Sequence, residues 1–166
     1  MANLAIGLAS RLLWNITPAS ILTGVGTSLL VTTITKTTTA IGSNVKIITT
    51  SDNPSLEYVK KELAKIDLVY TVEVIKEVVR EQDIEGKEMK DSIKRALLGV
   101  NEILEKIHDE LNTINESIKN HESKYFNGWR GFTCKYNLRT IIKHKNILDS
   151  RYKIFIDLLK VYNTEK

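Results

Sequence analysis

Hydrophobic positions after residue 51 recur every three or four residues, which is the spacing of one face of an α-helix. The clearest run alternates steps of four and three over about four and a half heptads. It comprises Ile93, Leu97, Val100, Leu104, Ile107, Leu111, Ile114, Ile118, His121 and Tyr125. A further run has one polar member: Leu138, Ile141, Lys145, Leu148, Tyr152, Phe155, Leu159 and Tyr162. The two runs predict long helices over 87–122 and 135–162.

A third long helix is predicted over 54–82. Asn53 can cap it, and Pro54 suits the first helical position because its missing N–H would be unpaired there anyway. Two apolar stripes follow, one of Leu56, Val59, Leu63, Ile66 and Tyr70, and one of Leu68, Val72, Ile75 and Val79. Two stripes predict a single helix buried on two sides, with Gly86 as its left-handed terminator.

The first 51 residues contain no acidic side chain, and 24 uncharged residues lie between Arg11 and Lys36. Three interpretations stay open for this segment. It is a helix inserted into or lying on a membrane, a buried first helix of a bundle, or a β-hairpin around Gly42-Ser43-Asn44. Against the hairpin, apolar residues keep a helical stripe through this region: Leu30, Ile34, Ile41, Val45 and Ile48. Small residues recur at every fourth position and predict a stripe for close helix association: Ser20, Gly24, Ser28 and Thr32.

Together these patterns predict an all-α fold. The expected architecture is an antiparallel up-down bundle of three long helices, with the apolar N-terminal segment forming a fourth. We expect the segment to divide from the bundle at residue 51, giving regions 1–51 and 52–166. In an up-down bundle the turn at 123–135 lies at the same end as the turn at 50–54.

The predicted turn at 123–135 overlaps a segment, 124–145, in which basic and aromatic side chains are concentrated. It holds five of the eleven aromatic residues and six Lys or Arg without one acid. Eight residues form the candidate contact set: Lys124, Tyr125, Phe126, Trp129, Arg130, Phe132, Lys135 and Tyr136. The rings either plug one end of the bundle or anchor it on an anionic membrane, where Trp, Tyr and cations favour the headgroup layer. Nucleic acid is the weaker candidate, because the patch is one turn long and residues 52–166 are nearly charge-balanced.

Catalytic chemistry is not indicated. His108, His121, His144 and Cys134 match no structural zinc spacing, and Cys134 has no adjacent base and orienting group in sequence. The phosphate-binding glycine loops are also missing. We therefore expect no enzyme, no cofactor and no metal, and the lone cysteine favours a reducing, intracellular compartment.

The stretch from Asp91 to Lys160, with "EILEKIHDEL", "YFNGWR" and "KNILDSRYKIFIDLLK", resembles short helical proteins of AT-rich large DNA viruses. In architecture, a four-helix bundle with an apolar arm and basic ends is similar to the membrane-permeabilising domains of cell-death effectors. Both resemblances imply membranes and self-assembly, in a host cell or a virion. The resulting expectation is a membrane-associated bundle that acts in assembly or permeabilisation, alone as a homo-oligomer or with a protein partner. The alternative is a soluble scaffold or adaptor whose first helix is buried.

Overall fold

A computed structural model describes residues 24–84, 89–122 and 134–164. Its elements in chain order are α1 (Gly24–Thr50), a 3-10 turn (Pro54–Leu56), α2 (Glu57–Lys65), α3 (Leu68–Ile84), α4 (Asp91–Glu122) and α5 (Lys135–Thr164). Every regular element in these ranges is helical, so the predicted all-α class is confirmed. The predicted terminator Gly86 lies outside the described residues.

Helix α1 excludes the β-hairpin interpretation, since residues 24–50 are one continuous helix. Its threonines are compatible with this because their hydroxyls bond to the helix's own backbone. Thr38 Oγ1 donates to the Ile34 carbonyl at 2.8 Å, and Thr39 Oγ1 to the Thr35 carbonyl at 2.8 Å. The predicted apolar stripe is buried in the core: Leu30, Ile34, Ile41, Val45 and Ile48. Burial of this face outweighs the strand preference of the β-branched residues.

The prediction of one helix over 54–82 was wrong, because the segment breaks at Asp67. Asp67 adopts a left-handed conformation (φ 46°), which Asp tolerates better than most residues. On a continuous helix Leu63 and Leu68 would point about 140° apart. The break changes the helical phase between them, and both are buried. The second predicted stripe therefore lies on α3, while the first is buried from Leu56 to Leu63, ahead of the break. Tyr70, predicted as the last member of the first stripe, instead lies on α3 and is 67% exposed.

The helices share one hydrophobic core, to which α1, α2, α3, α4 and α5 all contribute. Helix α1 packs against α3 and α4, α4 packs along α5, and α2 contacts both α1 and α5. Cross-helix bonds show that α4 and α5 are antiparallel, since Arg151 reaches Gly99 while Asn137 reaches Glu110. The predicted α4 seam is buried from Ile93 to Ile118. Its last two members differ, because His121 is half-buried and Tyr125 lies outside the described residues.

Candidate membrane- or partner-binding surface

The described part of the basic aromatic segment is the start of α5. Cys134 is buried there, and its carbonyl accepts the Leu138 N–H at 3.0 Å, which fixes the first turn on the core. Lys135 and Tyr136 point outward, and Tyr136 keeps 77% of its surface exposed. Of the predicted contact set, the structure thus places Lys135 and Tyr136 side by side on an accessible surface. The remaining six lie outside the described residues: Lys124, Tyr125, Phe126, Trp129, Arg130 and Phe132.

Two members of the predicted small-residue stripe lie on the outer side of α1. Ser28 and Thr32 are exposed, Gly24 is the first residue of α1, and Ser20 lies outside the described residues. The hydroxyl groups of Thr39 and Ser43, further along the same face, bond back to α1 carbonyls. This leaves methyl and methylene groups on the surface. Such a face is compatible with close helix packing, and helix association through it stays a prediction.

None of the helices within residues 24–84, 89–122 and 134–164 combines the length and apolar character that a membrane crossing requires. Helix α1 buries Ile34, Ile41 and Ile48 in the core with no exposed surface, whereas Leu29 and Ile47 stay 46% and 47% exposed.

A network of side-chain amides joins α1 to α4, and none of the predicted stripes indicated it. Asn44 Nδ2 donates to Asn112 Oδ1 at 2.8 Å, while Asn115 Nδ2 donates to Asn44 Oδ1 at 3.1 Å. Asn112 Nδ2 also lies 3.2 Å from His108 Nε2. Burial lowers the pKa of His108 despite the neighbouring Asp109, which favours the neutral ring and leaves a nitrogen able to accept from Asn112. The network fixes the register of α1 on α4, because buried amides bond well in few relative positions.

A sequence signal for this contact exists in retrospect. Four polar residues on α4 stand seven apart and are largely buried beside the apolar seam: Lys94, Asn101, His108 and Asn115. On a helix with heptad packing, residues at this spacing share one flank. Polar residues on the sides of a helix are usually solvated, so this spacing does not by itself predict a buried flank.

The opposite flank of α4 bonds to α5 through charged groups. Arg151 Nη1 donates to the Gly99 carbonyl at 2.6 Å and to Glu102 Oε2 at 2.8 Å, and Lys106 also reaches Glu102. Hydrogen bonds from Lys106 and then Arg151 lower the pKa of Glu102 to about 2. Asn137 Nδ2 donates to Glu110 Oε2 at 2.8 Å. These contacts hold the helices in register around an apolar seam.

Lys145, the polar member of the α5 seam, is 8% exposed and is paired within its own helix. Its Nζ lies 2.8 Å from both carboxylate oxygens of Asp149. The ammonium group thus reaches past the seam to a half-exposed carboxylate, while the alkyl stem fills the buried position.

The described residues contain no cluster of three or more His, Cys, Asp or Glu side chains that could hold a metal ion. Burial raises the pKa of the Cys134 thiol, which disfavours the reactive thiolate. Burial also lowers the pKa of His144. An open groove of about 680 Å³ lies where α1 faces the α2–α3 break, lined by Gly42, Val45, Leu63, Leu68 and Glu73 among others. Its walls are mainly apolar, and no acid is paired with a base among the lining residues.

Comparison with known proteins gives one informative relative. The chain is 30% identical over 112 residues to "Uncharacterized protein L717" of Acanthamoeba polyphaga mimivirus. The match covers 68% of this chain and 50% of the relative, so the chain spans about half the length of the curated relative it matches. No family model matches, and no solved structure matches. The predicted resemblance to helical proteins of large DNA viruses is therefore supported, and the architectural likeness to cell-death effectors stays a resemblance.

Proposed function

We propose that this chain is a non-enzymatic helical-bundle protein that associates with an anionic membrane surface and acts there in assembly or membrane remodelling. The observation that carries the proposal is the start of α5, where Lys135, Tyr136 and Arg139 are exposed. No acid stands between residues 124 and 148, so nothing in that stretch of sequence neutralises the cations. Each Lys or Arg near an anionic surface contributes about 1 kcal/mol, and a Tyr ring favours the headgroup layer.

The mode of association we propose is peripheral. Helix α1 supplies core residues to the bundle, so its apolar face is already occupied. Binding then depends on surface cations and rings, including the candidate residues that precede α5. The viral relative supports a virus particle or an infected host cell as the setting, and self-assembly there stays part of the proposal.

A second candidate is a soluble scaffold or adaptor that binds a protein partner. Burial of α1 favours it, since a chain whose apolar segment completes its own core has no need of lipid. In this case the exposed cations would serve solubility or contact an acidic partner.

Vesicle flotation separates the two candidates. We expect the parent to float with vesicles containing phosphatidylserine, less so at high salt, and to stay unbound with phosphatidylcholine alone. Lys135→Glu with Tyr136→Ala should reduce flotation strongly, because both side chains are exposed at the proposed contact. The matched control is Lys36→Glu with Tyr70→Ala, at exposed positions on α1 and α3. Failure of the parent to float with anionic vesicles would reject membrane association and favour the scaffold.

A further inference from the structure

The outer side of α5 carries a mixed basic and apolar face along almost its whole length. We call it the α5 face, and it consists of Lys135, Tyr136, Arg139, Lys143, Lys153, Ile154 and Val161. Tyr136 and Ile154 are 18 residues apart, about five full turns, so they lie on one line along the helix. Lys143 and Val161 lie within about 20° of that line, and Lys135 and Lys153 form a parallel line beside it.

The cations of this face have few acids near them. Helix α5 has two acids, and each pairs with a Lys of the same helix: Asp149 with Lys145, and Asp157 with Lys160. Asp157 is 18 residues from Arg139, so it is exposed on the α5 face itself. Arg139, Lys143 and Lys153 make no ion pair with another residue of the described ranges. Other exposed cations, such as Lys65 and Lys106, do have carboxylate partners. The face therefore presents positive charge that the bundle itself does not neutralise.

Exposed apolar side chains accompany these charges. Ile154 is 57% exposed and Val161 is 58% exposed, while Tyr136 is 77% exposed. All belong to one helix, on the strip that also carries Lys143. Aliphatic groups beside Lys and Arg on a helix face are typical of helices that lie in the interface plane of a membrane.

We propose that α5 lies lengthwise on an anionic membrane and that the α5 face is the contacting surface. This inference rests on the proposed membrane association and adds its orientation. The strip from Tyr136 to Val161 is about 37 Å long, so the bundle would rest on its side instead of standing on the end where α5 begins. A lipid surface fits this face better than single-stranded nucleic acid, because Ile154 and Val161 cannot stack on bases as rings do.

Charge reversal along the helix tests the orientation. The test variant is Arg139→Glu with Lys143→Glu and Lys153→Glu, which leaves Lys135 and Tyr136 intact. The matched control is Lys36→Glu with Lys46→Glu and Arg95→Glu, because it also reverses two Lys and one Arg at exposed positions. Removal of three surface cations should weaken partitioning onto vesicles of phosphatidylcholine with phosphatidylserine by on the order of a hundredfold or more, and the control should change little. Circular dichroism checks that both variants keep the parent's helicity.

The outcomes separate the two proposals. In one outcome the parent and the test variant bind equally well, and Lys135→Glu with Tyr136→Ala abolishes binding. In that case the end of the bundle is the contact and the α5 face is not. If the parent does not bind at all, membrane association and this orientation both fail. Equal losses in the test and control variants would show a nonspecific charge effect and reject the face.

Polarised infrared spectroscopy of the unaltered protein on supported bilayers gives a readout that needs no variant. We expect the dichroism of the helix amide band to show helices parallel to the bilayer plane. Helices aligned with the bilayer normal would overturn the proposal. Parent binding to an oligonucleotide in preference to vesicles would overturn it as well.

Discussion

The two flanks of α4 are built differently. Towards α5, the contact combines an apolar seam with charged groups at its margin, such as Arg151 with Glu102. Towards α1, partly buried side-chain amides join the helices, with Asn44 bonded to both Asn112 and Asn115. Apolar contacts tolerate small shifts and contribute in proportion to area, whereas buried amides contribute little net stability and are costly when left unpaired. The comparison indicates that the seam supplies stability and the amide network supplies register.

The largest effect should follow a charge placed in the seam. Ile107 has no exposed surface, so Ile107→Asp leaves an unpaired carboxylate in the core and should cost about 3–5 kcal/mol. That is a large part of a typical domain stability of about 5–15 kcal/mol, and we expect the bundle to unfold. The midpoint of thermal unfolding, monitored by circular dichroism, measures this loss of stability. Thr113→Asp, on the exposed side of α4, is the control. A midpoint within a few degrees of the parent's would contradict a buried seam.

Substitutions in the amide network should destabilise the protein less than a charge in the seam. Replacing all of the bonded amides should be less harmful than the single changes suggest. Asn44→Ala removes the donor to Asn112 Oδ1 and one of the two acceptors of Asn115 Nδ2, which keeps its bond to the carbonyl of residue 44. The change should cost about 1–3 kcal/mol in chemical denaturation. Replacing all three by Leu removes both partners of each side-chain bond between them, so much of that loss should be recovered. If the triple variant is as unstable as the sum of its single changes, the network contributes stability as well as register.

Lys145 tests how much polarity the seam tolerates. Lys145→Leu completes the apolar stripe and leaves Asp149 half-exposed to water, so stability should stay within about 1 kcal/mol of the parent or rise. Lys145→Ala is the control, since it also removes the buried alkyl stem and should destabilise. Denaturation should be paired with light scattering, because a fully apolar seam can change register or association state. Clear loss of stability in an otherwise unchanged monomer or oligomer would assign Lys145 a needed contact.

Changes of pH should have the smallest effects on stability. They should affect the two flanks of α4 in different pH ranges. The folded pKa of Glu102 is about 2, below its ordinary value of 4.5, so its contribution to stability is present above pH 4.5 and is lost as pH falls towards 2. Burial also lowers the folded pKa of His108, so its contribution is lost as pH falls below 6.5. Glu102 is half-exposed, and solvent screening keeps its contribution small.

Chemical denaturation at several pH values measures the stability contributions of both Glu102 and His108. Glu102→Gln should flatten the stability profile between pH 4.5 and 2, and His108→Gln should flatten it just below 6.5. If each variant's stability changes with pH as the parent's does in both pH ranges, then Glu102 and His108 are not the groups responsible.

Much of the fold followed from local patterns. The α4 seam from Ile93 to Ile118, the α5 run around Lys145 and the buried stripe of α1 were all predicted at the positions where the structure has them. The break at Asp67 was not predicted, because two stripes are equally compatible with one helix buried on two sides. Of the candidate site, the exposure of Lys135 and Tyr136 agrees with the predicted surface, while their membrane contact stays a prediction.

The sequence by itself determined the helical class and the core faces, since both depend on the period of apolar residues along the chain. Tertiary structure alone decided the partners of those faces. Periodicity gives the direction in which a side chain points on its helix, but not the neighbour it meets. The pairing of Asn44 with Asn115, and of Arg151 with Glu102, depends on how α1 and α5 settle on either side of α4. Packing of whole helices sets that arrangement, because its free energy sums over many contacts between residues distant in sequence.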